Sequence, residues 1–95
     1  MMGNRFIVHP GPHVIHNIPP LTLAGFPFAR KVRGKTLYGG GLRRRWLTPL
    51  GQILEWDYRH GHVEVYDARG RHVGEFDPET GEQRGNAVPG RKVDP

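Results

Sequence analysis

The chain has 95 residues and a formal charge of +5 at pH 7, with 14 basic residues against nine acidic ones. Only 36% of the residues are hydrophobic and glycine and proline number 14 and 9, which argues against a helical bundle and favours short strands joined by turns in one small, thin-cored domain. The absence of cysteine excludes disulfides and cysteine-ligated zinc, and no apolar run is long enough for a membrane span or a signal peptide.

The charge is distributed unevenly along the chain. Residues 1–50 contain eight Lys or Arg residues and no Asp or Glu, whereas residues 51–95 contain six basic residues and all nine acidic ones. The first half therefore carries +8 and the second −3. An acid-free basic half favours binding to a polyanion, most simply a nucleic acid, although a solvated basic face without a partner is the alternative.

Residues 6–28 combine apolar residues with five prolines. Because proline removes a backbone donor and disfavours helix in the residue before it, we expect extended segments that pack over one face of the remaining chain, with at most one short helical turn. Three histidines lie in this part of the chain, at His9, His13 and His16. They would share a face only on a helix, so we predict no functional metal site there.

A basic loop is predicted over residues 29–45, with Gly39-Gly40-Gly41 inside it. A glycine triplet has high backbone freedom and suits a flexible joint. We therefore expect residues 1–38 to form an N-terminal arm and residues 39–95 to form a sheet on which that arm packs. The two parts together are expected to make one domain.

Three strands are predicted over residues 52–58, 62–67 and 71–76, since each combines apolar and polar residues in the manner of a half-buried strand. The short, glycine-containing gaps between them are typical of hairpins, which predicts an antiparallel meander. The run from Asp77 to Gly81 predicts one more turn, and a polar tail follows. The predicted fold class is mainly β, α+β at most, with an extended or short-helical arm.

A turn at His60-Gly61 would place Asp57 opposite Glu64, with Cβ atoms roughly 5 Å apart. Carboxylates this close raise the pKa of at least one of them, and His60 adds the side chain that titrates nearest neutral pH. Carboxylate and imidazole together supply a general base and a general acid, which suffice to cleave RNA through its own 2′-OH without a metal. The alternative is a solvated surface, and a three-residue turn would separate the carboxylates.

The other chemically interesting side chains have ordinary structural interpretations. Trp46 and Trp56 could stack on bases, but a chain with so little apolar mass needs them in its core. His72 is expected to be an exposed strand residue.

Four segments of the chain, in the same order and at nearly constant spacing, resemble the cytotoxic ribonuclease domain of the colicins that cut 16S ribosomal RNA. They are GGGLRRRW at 39–46, ILEWDYRHGHVEVY at 53–66, VGEFDPETG at 73–81 and PGRK at 89–92. This resemblance implies a single, highly twisted antiparallel sheet with a short N-terminal helical element. It also implies one endonucleolytic cut in the decoding region of the small ribosomal subunit, which stops translation.

The resemblance places the family's catalytic residues on Asp57, His60, Glu64 and Arg91. It implies that Glu64 takes the proton from the 2′-OH and that His60 protonates the departing 5′-oxygen, although the opposite assignment stays open. Asp57 would orient His60 and favour its imidazolium form, and Arg91 would hold the phosphate as charge builds on it. No metal or cofactor is expected. RNA phosphates would be contacted without reading sequence by Arg43, Arg44, Arg45, Lys35 and Lys92.

The resemblance further implies two partners, the 16S rRNA of the 30S subunit and an acidic cognate immunity protein, and no stable membrane association. We expect a delivered or secreted toxin that acts in the cytoplasm of a target cell, either as part of a larger effector or alone. One departure is His62, which stands where the family commonly has a second glutamate. The competing interpretations are a non-catalytic basic RNA-binding module and a ribonuclease of the same class that acts on tRNA.

Overall fold

The computed structural model describes residues 17–95, and within that range it contains strands and no helix. The strands are β1 (Arg30–Val32), β2 (Leu37–Tyr38), β3 (Gly41–Leu42), β4 (Arg45–Leu47), β5 (Ile53–Asp57), β6 (His62–Tyr66), β7 (His72–Phe76) and β8 (Gln83–Asn86). Six of them form an antiparallel sheet in the order β1-β4-β5-β6-β7-β8, and β2 and β3 form a separate hairpin. The prediction of a mainly β, antiparallel fold is confirmed. The histidines at positions 9, 13 and 16 lie outside the described residues.

The three predicted strands correspond to β5, β6 and β7, and each of them ends in a turn that begins with an aspartate. In each turn Oδ1 of that aspartate accepts hydrogen bonds from two backbone N–H groups further along. A glycine with positive φ then closes the turn. The aspartates are Asp57, Asp67 and Asp77, and the glycines are Gly61, Gly70 and Gly81. Because the side chain satisfies turn N–H groups that have no ladder partner, it fixes the length of the turn.

This capping changes the register that we predicted for the first hairpin. The turn spans residues 58–61, so that Asp57 lies opposite His62 and Glu64 lies opposite Glu55. The predicted pairing of Asp57 with Glu64 is therefore wrong. Asp57 closes a four-residue turn by accepting the Gly61 N–H on its carbonyl oxygen at 2.8 Å, and Gly61 adopts a φ of 69°.

Three strands of the sheet, β1, β4 and β8, lie in segments for which no strand is predicted, and β1 precedes residue 39. The glycine triplet is a tight hairpin turn and not the flexible joint that we predicted. Gly39 and Gly40 have φ angles of 56° and 87°, and Tyr38 pairs with Gly41 across them. A two-residue hairpin turn with positive φ at both central positions matches the twist of the strands, and glycine adopts it without strain.

One face of the sheet carries the hydrophobic core. Its buried members are Leu23, Trp46, Leu54, Trp56, Val63 and Val65, against which Phe26, Ala29, Tyr58, Val73 and Phe76 pack. The indole N–H groups of Trp46 and Trp56 donate to the carbonyl oxygens of Leu21 at 3.1 Å and Asn17 at 2.7 Å. Residues 17–29 are thereby held across this face, and both tryptophans are core residues. None of the described segments forms a helix with the length and hydropathy that crossing a bilayer requires.

Candidate active site

The opposite face of the sheet is polar and carries a row of three glutamates. Strand alternation places Glu55, Glu64 and Glu75 on this face, and the register sets Glu64 directly between the other two. A cleft of about 610 Å³ lies over them. Like charges on adjacent strands destabilise a sheet unless they are compensated, and each glutamate here has its own compensating partners.

Glu55 is neutralised by Arg45. The guanidinium of Arg45 donates to Glu55 Oε2 from Nη2 at 2.8 Å and from Nε at 3.2 Å, and the Thr36 hydroxyl donates to the same oxygen at 2.6 Å. Arg45 and Glu55 are only 3% and 1% exposed. The predicted phosphate contact of Arg45 is therefore corrected, because its charge is buried and already satisfied by a carboxylate.

Glu64 is held by His72 and Arg91. His72 Nδ1 accepts a hydrogen bond from the Val88 N–H at 2.9 Å, so the proton of the ring lies on Nε2, which donates to Glu64 Oε1 at 2.7 Å. Arg91 Nη1 lies 3.4 Å from the same oxygen. Both hydrogen bonds that Glu64 receives within the described part of the chain go to Oε1, which leaves Oε2 for another partner.

The environment of His72 corrects a second prediction. Its side chain is 1% exposed, whereas we expected an exposed strand residue. The C-terminal segment covers it, since the His72 N–H donates to the Arg91 carbonyl oxygen at 3.1 Å and Arg71 pairs with Lys92. The same backbone contacts carry Arg91 to the cleft.

Asp57 and His60 form the second acid–base pair of the cleft. His60 Nδ1 donates to Asp57 Oδ2 at 2.7 Å, which leaves Nε2 for a substrate. The hydrogen bond and the charge of Asp57 raise the pKa of His60 above 6.5. Burial alone would raise the pKa of Asp57, but the hydrogen bonds from the His60 ring and from the backbone of His60 and Arg59 outweigh it and lower that pKa. The pair therefore favours carboxylate and imidazolium.

Glu75 is a site residue that sequence reasoning missed. His62 Nδ1 hydrogen-bonds its Oε2, and the same oxygen lies 3.9 Å from His60 Nδ1. His62 stands where the family that this sequence resembles commonly has a glutamate. In this chain a carboxylate beside that position comes from Glu75 on the neighbouring strand β7. The sequence alone did not identify it, because its place opposite Glu64 depends on the register between β6 and β7.

The remaining predicted RNA contacts are spread over the surface. Arg43 and Lys92 line the cleft, and Arg43 is fixed by a 2.8 Å hydrogen bond to the Trp56 carbonyl oxygen. Arg44 donates to the Pro20 carbonyl oxygen at 3.4 Å, and the exposed Lys35 donates to that of Pro95. Only Arg43 and Lys92 of the predicted set therefore adjoin the acid–base groups.

Tyr66 also lines the cleft and was not among the predicted site residues. Burial, followed by the charges of Glu55 and Glu64, raises its pKa to about 12. The phenol therefore keeps its proton at neutral pH and can serve as a hydrogen-bond donor. Its ring also packs on that of His72, with centroids 5.2 Å apart.

An open β-sheet with a carboxylate–histidine pair and a second, cation-supported carboxylate in one cleft defines a candidate acid–base site. The chain belongs to the family described as Cytotoxic, which matches residues 9–94. It is 47% identical over 57 residues to Colicin E3 and 46% identical over the same length to Colicin-E6 and Cloacin, all of Escherichia coli. These matches cover 58% of this chain and 10% of each relative, so the chain spans about a tenth of their length. The resemblance to the cytotoxic domain of the colicins is confirmed.

Proposed function

We propose that this chain is an endoribonuclease toxin that cleaves 16S rRNA in the decoding region of the small ribosomal subunit, without a metal. The observation that supports this best is the pair of independently held groups in one cleft: Asp57 fixes His60, and His72 fixes Glu64. Membership of the Cytotoxic family and similarity to colicins support the toxin class and the choice of target. The toxin acts in the cytoplasm of the cell that receives it.

The proposed reaction is transfer of the phosphate to the ribose 2′-oxygen. Glu64 Oε2 takes the proton of the 2′-OH, and that oxygen attacks the adjacent phosphorus to form a 2′,3′-cyclic phosphate. His60 Nε2 gives its proton to the departing 5′-oxygen. Arg91, beside Glu64 at 3.4 Å, stabilises the charge that builds on the phosphate. Exchange of the acid and base roles between His60 and Glu64 stays an alternative.

Basic side chains bind the RNA backbone. Arg43, Arg44, Lys35 and Lys92 contact RNA phosphates, with Arg43 and Lys92 nearest the reacting groups. Such contacts hold the backbone without reading its sequence. Affinity for the ribosome therefore falls as salt concentration rises.

Incubation of purified 70S ribosomes with the chain tests the function. We expect one fragment from the 3′ end of 16S rRNA that ends in a cyclic phosphate at the new 3′ terminus, with the same yield in EDTA. Primer extension on total RNA identifies the cleavage site. A cut found only in tRNA would show that the substrate is tRNA and not 16S rRNA. RNA binding without any cut would establish the non-catalytic binding module instead, and loss of cleavage in EDTA would contradict the metal-free reaction.

The pH dependence of cleavage follows from the raised pKa of His60. Because His60 and Glu64 must hold one proton between them, the rate falls as pH rises through that pKa, whichever of the two is the acid. Asp57→Asn keeps a side-chain oxygen for the turn but removes the charge and hydrogen bond that raise the pKa of His60, so the alkaline limb moves to lower pH. Single-turnover rates from about pH 5 to pH 9 measure this. A limb that does not move in Asp57→Asn would show that another group titrates.

The partner of this toxin in the producing cell is an immunity protein. Against a chain of charge +5 we expect this protein to be acidic, since charge complementarity accelerates and orients association. Association rates measured between about 50 mM and 500 mM salt should fall steeply. A cognate partner that is basic, or whose association rate ignores salt, would contradict this expectation.

A further inference from the structure

A cluster of potential metal ligands surrounds His60 on the side away from its free nitrogen. His60 Nδ1, Asp57 Oδ2 and Glu75 Oε2 all lie within 4.8 Å of one another, with His60 Nδ1 at 2.7 Å from the first carboxylate and 3.9 Å from the second. His62 Nδ1 hydrogen-bonds the same oxygen of Glu75. The turn after β5 and the strands β5 and β7 thus bring one imidazole nitrogen and two carboxylate oxygens together, and β6 adds an imidazole that contacts Glu75.

The donor set selects a class of ion. Imidazole and carboxylate ligands together suit Zn²⁺, Ni²⁺ and Cu²⁺, whereas Mg²⁺ and Ca²⁺ prefer oxygen donors alone. Two carboxylates balance the charge of a divalent cation. In the structure the pair of His60 and Asp57 shares a hydrogen-bonded proton, and a metal between them takes the place of that proton. The His60 side chain is 58% exposed and that of Glu75 24% exposed, so the cluster is accessible from solvent.

We propose that Asp57, His60 and Glu75 bind a divalent transition-metal ion such as Zn²⁺, and that the bound ion inhibits cleavage. Coordination through Nδ1 releases the Nδ1 proton to solvent and leaves His60 with only the Nε2 proton of a neutral ring. A neutral ring is a far weaker acid than imidazolium, so it protonates the departing oxygen poorly. The inhibitory part rests on the proposed ribonuclease function, whereas the binding part does not.

Calorimetric titration of ZnCl₂ into the full chain tests binding. Because His9, His13 and His16 could also bind zinc, the titration uses a chain in which all three are replaced by asparagine. We expect one saturable site, which Glu75→Gln weakens roughly tenfold or more. Glu79→Gln, an exposed carboxylate in the turn after β7, is the matched control and leaves it unchanged. MgCl₂ should produce no saturable heat, and nitrogen NMR shifts of the His60 ring should follow zinc occupancy.

Two results would overturn the binding site: no saturable zinc site in the asparagine-substituted chain, or equal zinc affinity of Glu75→Gln and Glu79→Gln. The inhibitory part is tested by adding ZnCl₂ to the cleavage reaction at a concentration that fills the site of the asparagine-substituted chain but lies below the Kd of its Glu75→Gln version. We expect the asparagine-substituted chain to lose most of its activity and the Glu75→Gln version to retain most of its own rate. Cleavage that rises with zinc would overturn the inhibition. Because calorimetry reads binding without RNA, a failure of the ribonuclease proposal and a failure of the metal site remain distinguishable.

Discussion

Glu64→Gln is expected to slow cleavage of 16S rRNA by about 10²–10⁴-fold, the range typical of a lost general acid or base. The substitution leaves the structure almost unchanged, because an amide oxygen can accept the hydrogen bond from His72 Nε2 that Glu64 Oε1 now accepts at 2.7 Å. It removes the ability to take a proton together with the negative charge beside Arg91. The fold, the melting temperature and ribosome binding should therefore stay close to those of the parent.

Single-turnover cleavage, thermal melting and ribosome co-sedimentation measure these three quantities on the same preparations. Glu79→Gln is the control, since it makes the same chemical change at an exposed position outside the cleft. A Glu64→Gln chain that cleaves within about tenfold of the parent rate would show that Glu64 is not a proton-transfer group. A chain that loses ribosome binding as well would instead show that Glu64 shapes the RNA surface.

The same substitution also helps to assign the acid and the base. In an RNA whose scissile bond carries sulfur at the 5′ position, the leaving group needs no proton, because a thiolate is a much better leaving group than an alkoxide. We expect this RNA to restore cleavage by His60→Asn and not by Glu64→Gln. The opposite pattern would exchange the two roles, which pH profiles cannot distinguish because both assignments require the same total number of protons.

The strands of the meander were predictable from the sequence because residues 62–67 alternate between polar and apolar and each of the three segments ends in a turn signal. Their register was not, because it depends on whether Asp57 turns back on the backbone of Arg59 and His60. The sequence nevertheless contains a regular signal for such turns. Asp57, Asp67 and Asp77 recur every ten residues, each followed within four residues by a glycine with positive φ.

Glu75 was missed as a site residue, and His72 was placed wrongly, because the pairing of the strands was not predictable either. Once the register is known, Glu75 falls on the face of Glu64 as its partner across the two strands. His72 reaches the same face only because the pairing of β6 with β7 shifts between Val65 and Tyr66, and alternation does not predict such a shift. The short strands β1, β4 and β8 have no comparable pattern, since they comprise three or four residues each. They are stabilised by the neighbours with which they pair.

The three consecutive arginines have different environments, which composition alone does not reveal. As isolated residues they form one basic run, but β4 and the residues before it alternate between the two faces of the sheet. Arg43 lines the cleft, Arg44 contacts the carbonyl oxygen of Pro20, and Arg45 is buried against Glu55. The basic half of the chain therefore supplies part of its charge to the interior of the sheet and not to RNA.

Arg45→Ala is expected to cost about 3–5 kcal/mol of unfolding free energy, the usual penalty for removing one partner of a buried ion pair. The variant leaves the carboxylate of Glu55, which is 1% exposed, with the Thr36 hydroxyl as its remaining side-chain donor within the described residues. It also leaves that charge directly opposite Glu64. Against a total stability of about 5–15 kcal/mol for a domain of ordinary stability, a large part of the folding free energy is lost.

Urea denaturation followed by tryptophan fluorescence measures this loss, since Trp46 and Trp56 lie in the core. Arg44→Ala is the matched control and should change stability by less than about 1 kcal/mol, because Arg44 is only partly buried and its hydrogen bond to Pro20 is long at 3.4 Å. Replacing both partners, as Arg45→Met with Glu55→Leu, should recover most of the stability, because the variant then buries no unpaired charge. Suppose instead that the unfolding free energy of Arg45→Ala lies within about 1 kcal/mol of the parent value and that only ribosome affinity is lost. Then Arg45 contacts RNA, and the buried pair contributes little to the fold.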